Sequence, residues 1–482
     1  IKRYVPFGFE IYLTFDKHRN PRKPVNASSQ TDDQEDSTGD DTQPREIKLN
    51  IWQLAWPAIV ANLLFSMVGI VATKVVGDLG ASAIAAVTVG HRMFFLSQAV
   101  LMALSVGATA LVARAWGADD KEEAARVTSA SVWISIGVAF ALTVPAYIFA
   151  YSIAAFFDLD EETTSLAAEF IRYLSIFNVA FAINIVMSSA LRAAGDTMTP
   201  LWIGGVTNVI NIFLLYWLVF GMYGLPALGV GGAALANGIA FALGAIMFIG
   251  AWLSGWLIIK PSKGISLTRE RLKQLLHISY PAAIEQGIFQ AGFLAFLWIV
   301  AFYGKAPYAA YGIGVNILSL AFVVGFGFSI AGSTLVGQHL GAKDSEGAAR
   351  SGWRAMRLSI LTMMAFAIVI AAAAEPIARF MIDDDEVVRL TVIFIYIMSS
   401  VQPLMAIEFS VGGALRGAGD TRFPLYATIA GLLGARVLLA VIMMQLGFSV
   451  EWIYAALIAD YVVKAIMLVM RFRSGRWKTV IN

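Results

Sequence analysis

Long stretches of this chain show no alternation between apolar and polar positions. Apolar residues fill runs of about 20 positions, set off by short connectors that hold most of the charge. A helix of that length crosses a hydrocarbon core roughly 30 Å thick. In lipid every backbone N–H and C=O needs a partner inside the structure, so spanning segments are helices or the strands of closed barrels. Barrel strands alternate over about ten residues, and these runs do not. The pattern predicts twelve helical spans, at approximately 52–76, 86–113, 128–152, 167–191, 199–221 and 231–256, then 275–303, 309–336, 353–374, 389–414, 424–446 and 452–471.

The connectors set the organisation. Residues 1–50 include NASSQTDDQEDSTGDDTQPRE, polar and acidic with little to bury, which predicts a disordered cytoplasmic tail. The VPFGFEIYLTF segment before it is too short to span, and no cleavable signal peptide is recognised ahead of the first long run at about Ile51. A six-helix bundle over 51–256, a cytoplasmic linker over 257–274, a second bundle over 275–472 and a cytoplasmic tail over 473–482 complete the expected domains.

The two bundles are copies. ALRAAGDTMTPLW (190–202) recurs as ALRGAGDTRFPLY (414–426), with nine of thirteen positions identical at a separation of 224 residues. The same shift, without a gap, lays GADDKEEAAR (117–126) on GAKDSEGAAR (341–350), and Trp56-Pro57 on Tyr280-Pro281. An even number of spans per copy puts both copies into the membrane the same way. The expected fold is therefore all-α, with two bundles related by a pseudo-twofold axis along the membrane normal, the plan of carriers that rock two bundles about a midplane site. In the repeated phrase, Gly417 and Gly419 suit a helix end, Asp420 or Thr421 can cap the next helix, and Pro424 falls in its first turn.

Composition agrees with a lipid solvent. Only 14% of the 482 residues are charged and the mean hydropathy is +0.71, against about 25% charged in soluble chains. The net charge of +2 gives no reason to expect a nucleic-acid partner, and with no cysteine there is neither disulfide nor thiolate metal site. The N-terminal tail, alternate connectors and C-terminus hold about 27 of the 35 lysines and arginines, while the opposite loops hold only Lys305, Arg379 and Arg389. That bias predicts both termini on the cytoplasmic side of the plasma (inner) membrane.

The duplicated plan, a proline early in the first helix of each half, LVGQHLGAKDSEGAAR after the eighth span and LRGAGDT after the tenth resemble the multidrug and toxic compound extrusion (MATE) transporters, and among them the prokaryotic DinF-like group. The resemblance covers residues 50–475. It implies a secondary antiporter, not an enzyme, that exports small organic compounds while Na⁺ or H⁺ runs inward. It implies a functional monomer among membrane lipids, with no cofactor beyond the transported ion. Two acids that many relatives carry in the N-terminal half are missing, because Ala72 and Leu215 stand at those places.

Ionisable residues within spans mark function by default. Glu285 in the seventh span lies roughly 18 Å from Lys273, and Glu408 in the tenth roughly 12 Å from Arg416, at 1.5 Å per residue. These similar depths let the two carboxylates meet, provided that their helices are neighbours. Each also lies within about one helical turn of an acid used in the C-terminal half of the relatives, which implies cation coupling at Glu285 and Glu408, by one shared proton or by Na⁺ ligation. The other reading makes each a structural group, hydrogen-bonded or packed beside Arg436. Gln286, Gln290, Asn316, Asn208, Asn211 and Arg436 are candidates for the substrate cleft, and Arg436 should have a carboxylate partner. Asp460 and Lys464, four apart on one face, read as a structural pair. Lys74 and the pair His91-Arg92 lie near the outer ends of the first two spans. They either reach the headgroups or make an electropositive cavity that favours an anionic or zwitterionic substrate. A flippase for a lipid-linked precursor and an organic-anion exporter remain as alternative functions.

Overall fold

The computed structural model describes Ile47 and residues 49–221, 226–262 and 267–480, so the expected tail over 1–50 lies almost wholly outside the described residues. Among those residues none is in a β-strand. The first half comprises α1 (Ile51–Gly77), α2 (Ala81–Gly117), α3 (Lys121–Ile148), α4 (Ala150–Ala155), α5 (Glu161–Ile176), α6 (Asn178–Ala193), α7 (Met198–Phe220) and α8 (Gly229–Leu253). The second comprises α9 (Arg269–Ala301), α10 (Lys305–Gly341), α11 (Ser345–Ala372), α12 (Ala374–Met381), α13 (Asp385–Gly417) and α14 (Arg422–Thr428). A π-helical segment (Ile429–Val437), α15 (Leu438–Gln445) and α16 (Val450–Arg473) follow. Eleven described helices are long and apolar enough to cross a membrane, taking Arg422–Gln445 as one, and the pair α5 and α6, bent by 50°, supplies a twelfth span.

The 224-residue repeat reappears in the backbone. α2 and α10, like α3 and α11, begin and end at equivalent positions. Asp120 and Asp344 cap α3 and α11, and Asp160 and Asp384 cap α5 and α13, each accepting a backbone N–H of the first turn. Gly80 and Gly304 have φ of 108° and 106°, a region open to glycine and closed to most side chains. Gly90 lets Phe170 press on α2, and the equivalent Gly314 lets Phe394 press on α10. The same local instruction, read twice, builds the same helix pairings.

The copies differ at two places. The fourth span breaks at Phe177, where no proline or internal glycine announces a break, while its counterpart α13 runs through Pro403 without interruption. In the eleventh span an α-helix gives way to the π-helix, whereas the equivalent α7 is regular. A π segment takes in an extra residue and re-aims the side chains around it, and such segments gather at functional sites.

Each half has its own apolar core, one built on α2, α3, α5, α6 and α8, the other on α9, α10, α13 and α16. The halves meet at one end. There Ile51, Leu54 and Ala55 of α1 pack on Phe328, Ala331 and Leu335 of α10. Gly117 lies against the Gln338 backbone and Gly341 against that of Arg114, so closely that a methyl group at either would overlap it. Gln338 Nε2 donates to the Ala193 carbonyl at 2.7 Å, and Thr334 Oγ1 donates to that of Arg192 at 3.2 Å. Arg271 at the start of α9 grips Glu123 of α3 with two hydrogen bonds, 2.7 and 2.6 Å. We call this the closed end.

The repeated phrase is a helix end in both copies, with Gly195 and Gly419 at φ 96° and 86°. Its acids diverge. Asp196 caps α7 through the Thr199 N–H at 2.9 Å, whereas neither Asp420 nor Thr421 caps α14. Asp420 instead accepts from Arg471 at 2.7 Å, and Thr421 donates to the Ile278 carbonyl at 2.8 Å. Tertiary partners have drawn both side chains away from the local turn.

Candidate functional site

Six charged side chains come together inside the second half, and the packing of four elements places them. α9 brings Glu285, α13 brings Glu408 and Arg416, the π-helix brings Arg436, and α16 brings Asp460 and Lys464. Glu285 accepts from Arg416 at 2.5 Å and from the Thr428 hydroxyl at 3.2 Å. Lys464 stands between two carboxylates, 3.1 Å from Glu408 and 3.2 Å from Asp460. Asp460 meets Arg436 at 2.5 Å on its other oxygen. Asp460, Lys464 and Arg436 are buried, with side chains 0%, 1% and 5% exposed, while that of Glu408 keeps 21%.

The site depends on the π-helix and on one glycine. Gly431 lies within the π-helix, where a Cβ would strike Asp460 and Lys464, so its missing side chain is what lets the two helices approach. Aromatic faces complete the lining. The Arg436 guanidinium lies 5.7 Å from the Phe296 ring centroid and 5.6 Å from that of Tyr461, and the Lys464 ammonium lies 5.3 Å from the latter. Such faces attract cations in sites that exclude water.

Several sequence expectations stand differently here. Glu285 and Glu408 do not meet. Among the described residues no hydrogen bond joins them, because each carboxylate is taken by a base, Arg416 or Lys464. Nor does any group of three His, Asp or Glu side chains among the described residues converge as a metal site. Arg436 has the carboxylate partner its mid-span place demanded, but that partner is Asp460 and neither glutamate. Asp460 and Lys464 pair as their spacing predicts, and Lys464 also reaches across to Glu408, which helical spacing alone could not reveal.

The amides scatter. Asn211 donates to Asn237 of α8 at 3.0 Å and so joins two helices, while Asn208 one turn earlier is half-buried. Gln286 and Gln290 are half-buried on α9, and Asn316 is exposed on α10, its amide bonded back to the Gly312 carbonyl. Ala72 and Leu215 are buried in the apolar core of the first half and bring no acid there. His91 and Arg92 line an open cavity of about 350 Å³ between α1 and α2, with Thr73 and Thr88. Lys74 is exposed beside it.

The first half serves as an internal comparison for the charged cluster. At 224 positions earlier, Glu285, Glu408 and Arg416 correspond to Ala61, Asn184 and Arg192, while α7 and α8, the helices that match those carrying Arg436, Asp460 and Lys464, hold no charged residue. Asn184, at the place of Glu408, is satisfied by the Ala180 and Phe241 carbonyls. The same helix pairings thus form around uncharged side chains. Moving charges out of water costs several kcal/mol each, which pairing often fails to recover. The cluster is therefore not what the fold requires.

Comparison with known proteins agrees with this architecture. A family model described as MatE matches residues 57–217 and 281–442, two segments whose starts are set apart by the repeat. A probable multidrug resistance protein NorM of Thermotoga maritima is 33% identical over 445 residues, covering 90% of this chain and 94% of its own. The multidrug resistance protein NorM of Burkholderia vietnamiensis is 28% identical over 399 residues, covering 79% and 84%. Among solved structures, the outward-facing conformation of a multidrug resistance MATE family transporter aligns with a TM-score of 0.81 at 19% identity, covering 88% of this chain and 94% of that one. A transporter from Pyrococcus furiosus, described as having a binding pocket of reverse polarity, aligns equally well at 20% identity with the same coverage. The chain belongs to the MATE family and is a multi-pass membrane transporter of small molecules.

Proposed function

We propose that this transporter is a cation-coupled antiporter, exporting small organic compounds across the plasma membrane by rocking its two halves, with Na⁺ or H⁺ as the coupling ion. The observation that carries this reading is the charged cluster of the second half, which the fold does not need and which the first half lacks. Buried ionisable groups inside a membrane bundle mark ion or substrate pathways. Glu285 and Glu408 are the coupling groups. Each is held by an internal base, so an arriving proton or Na⁺ competes with Arg416 or Lys464 for the carboxylate. Lys464 released from Glu408 still has Asp460 beside it. The exchange therefore leaves no bare ammonium in the core, and withdrawal of the Lys464 side chain from α13 is a physical link between cation binding and helix packing.

The basic residues cluster toward the closed end, which supports reading that end as cytoplasmic and the described conformation as outward-open. The chain works as a single copy, with its own two halves as the moving parts, and needs no resident cofactor.

The test is efflux of a fluorescent substrate from proteoliposomes under an imposed pH or sodium gradient. Glu408→Gln and Glu285→Gln should each keep residual downhill transport and lose its dependence on the gradient. Unchanged ion dependence in both variants would overturn the assignment.

A further inference from the structure

We infer that the cavity between α1 and α2 is a binding site for the acidic group of a small amphiphile, so that the cargo is anionic or zwitterionic. This deepens the export reading above and rests on it for the word cargo, but not for the binding itself.

The cavity has a basic floor. Arg92 is the twelfth residue of α2, roughly 16 Å from the turn that joins α1 to α2 at 1.5 Å per residue. An arginine at that depth should face water or a partner, because a lone charge in hydrocarbon is costly. Among the described residues Arg92 has neither an ion pair nor a side-chain hydrogen bond, and it lines the cavity with His91 beside it. The His91 ring is fixed by Phe170 of α5, their centroids 5.1 Å apart. The Thr73 and Thr88 hydroxyls donate to the Gly69 and Ile84 carbonyls of their own helices at 3.0 and 2.7 Å, while Val76 and Phe95 supply apolar wall.

No carboxylate belongs to this lining. The acid next to Phe170 along α5, Glu169, lies instead against Gly231 of α8. Ala72, next to Thr73 along α1, is buried in the apolar core. A cation entering here would meet only positive or neutral groups. An acid would meet a planar guanidinium, the geometry that suits carboxylate, sulfonate or phosphate, with an imidazole beside it. The volume of about 350 Å³ falls in the range of small-ligand sites, roughly 300–1,000 Å³. The feature is again confined to one copy, for the residues 224 positions after His91 and Arg92 are Val315 and Asn316. The two halves have thus divided the work, the second holding acids for a coupling cation and the first holding bases for the cargo's acid.

A free solute and an anionic lipid headgroup offer the same chemistry. The experiment separates them. Anilinonaphthalene sulfonate is titrated into the full chain in an uncharged maltoside detergent, without any ion gradient. Arg92→Gln should weaken binding about tenfold or more, the loss of one charge-assisted contact. His91→Gln should weaken it less, and Arg92→Lys, which keeps the charge and loses the planar fork, should fall between wild type and Arg92→Gln. Ethidium, a cation of similar size, should not displace the probe. Displacement by short-chain phosphatidylglycerol identifies a lipid as the natural occupant, and displacement by naphthalenesulfonate alone identifies a soluble cargo. Equal affinity in wild type, Arg92→Gln and His91→Gln, or displacement by ethidium, would overturn the inference. Because binding is read at equilibrium with no ion gradient, a failure of the coupling assignment leaves this result standing.

Discussion

Lys464 of α16 stands 3.1 Å from Glu408 of α13, whereas in the first half Asn184 stands at the place of Glu408 and α8 holds no charged residue. Removing one member of a buried pair strands the other, at about 3–5 kcal/mol. Lys464→Met should therefore destabilise the protein by about that much in thermal unfolding followed by tryptophan fluorescence. Glu408→Gln together with Lys464→Met should recover most of the loss, because Asp460 keeps Arg436. Equal losses in the single and double variants would mean that the two groups do not act on each other.

Gly431→Ala tests whether the close approach at the π-helix is essential. The added methyl meets Asp460 and Lys464, and overpacking of this kind costs about 1–3 kcal/mol. The same substitution at Gly434, whose Cβ would meet nothing nearer than the Ile429 carbonyl at 3.8 Å, should leave the unfolding temperature close to that of wild type.

Gly117→Ala should loosen the closed end, since its methyl would overlap the Gln338 backbone. The chain has no cysteine, so Ala331→Cys gives a clean reporter at a fully buried place in the contact between halves. Its modification by a maleimide should quicken roughly tenfold, the equivalent of about 1.4 kcal/mol at the low end of overpacking costs. An unchanged rate would show that the glycine contact does not hold the halves together.

Asp160 caps α5 by accepting the Thr163 N–H at 3.0 Å and its hydroxyl at 2.8 Å. The backbone hydrogen bond first, then the hydroxyl, holds its carboxyl below the ordinary carboxylate value. A group lowered on folding lends stability above its unfolded pKa, about 3.9, and loses it as the pH falls through the folded value. The unfolding temperature should therefore drop more steeply with acid below about pH 4 in wild type than in Asp160→Asn, where the cap stays neutral. Parallel curves would remove Asp160 from the acid response.

What the sequence made legible follows from where each feature's information lies. The duplication could be read because identical phrases at one spacing impose identical turns, as the matching φ of Gly80 and Gly304 shows. The Asp460–Lys464 pair could be read because helix geometry alone brings them together. Lys464 to Glu408 could not, since it depends on α13 and α16 being neighbours. Glu285 and Glu408 share a depth, and depth was not contact, because Arg416 and Lys464 intervene. The π-helix and the bend at Phe177 carry no local punctuation. The cavity around His91 was visible only as two bases near a span end, and its shape required α1 to lie alongside.

The first two connectors of each half are short and equal in both copies. Three residues join α1 to α2 and α2 to α3, and three join their counterparts α9 to α10 and α10 to α11. Tethers of that length give little slack, so at each turn the ends of the two helices stay side by side. A displacement at one of these turns is then shared by both helices that it joins.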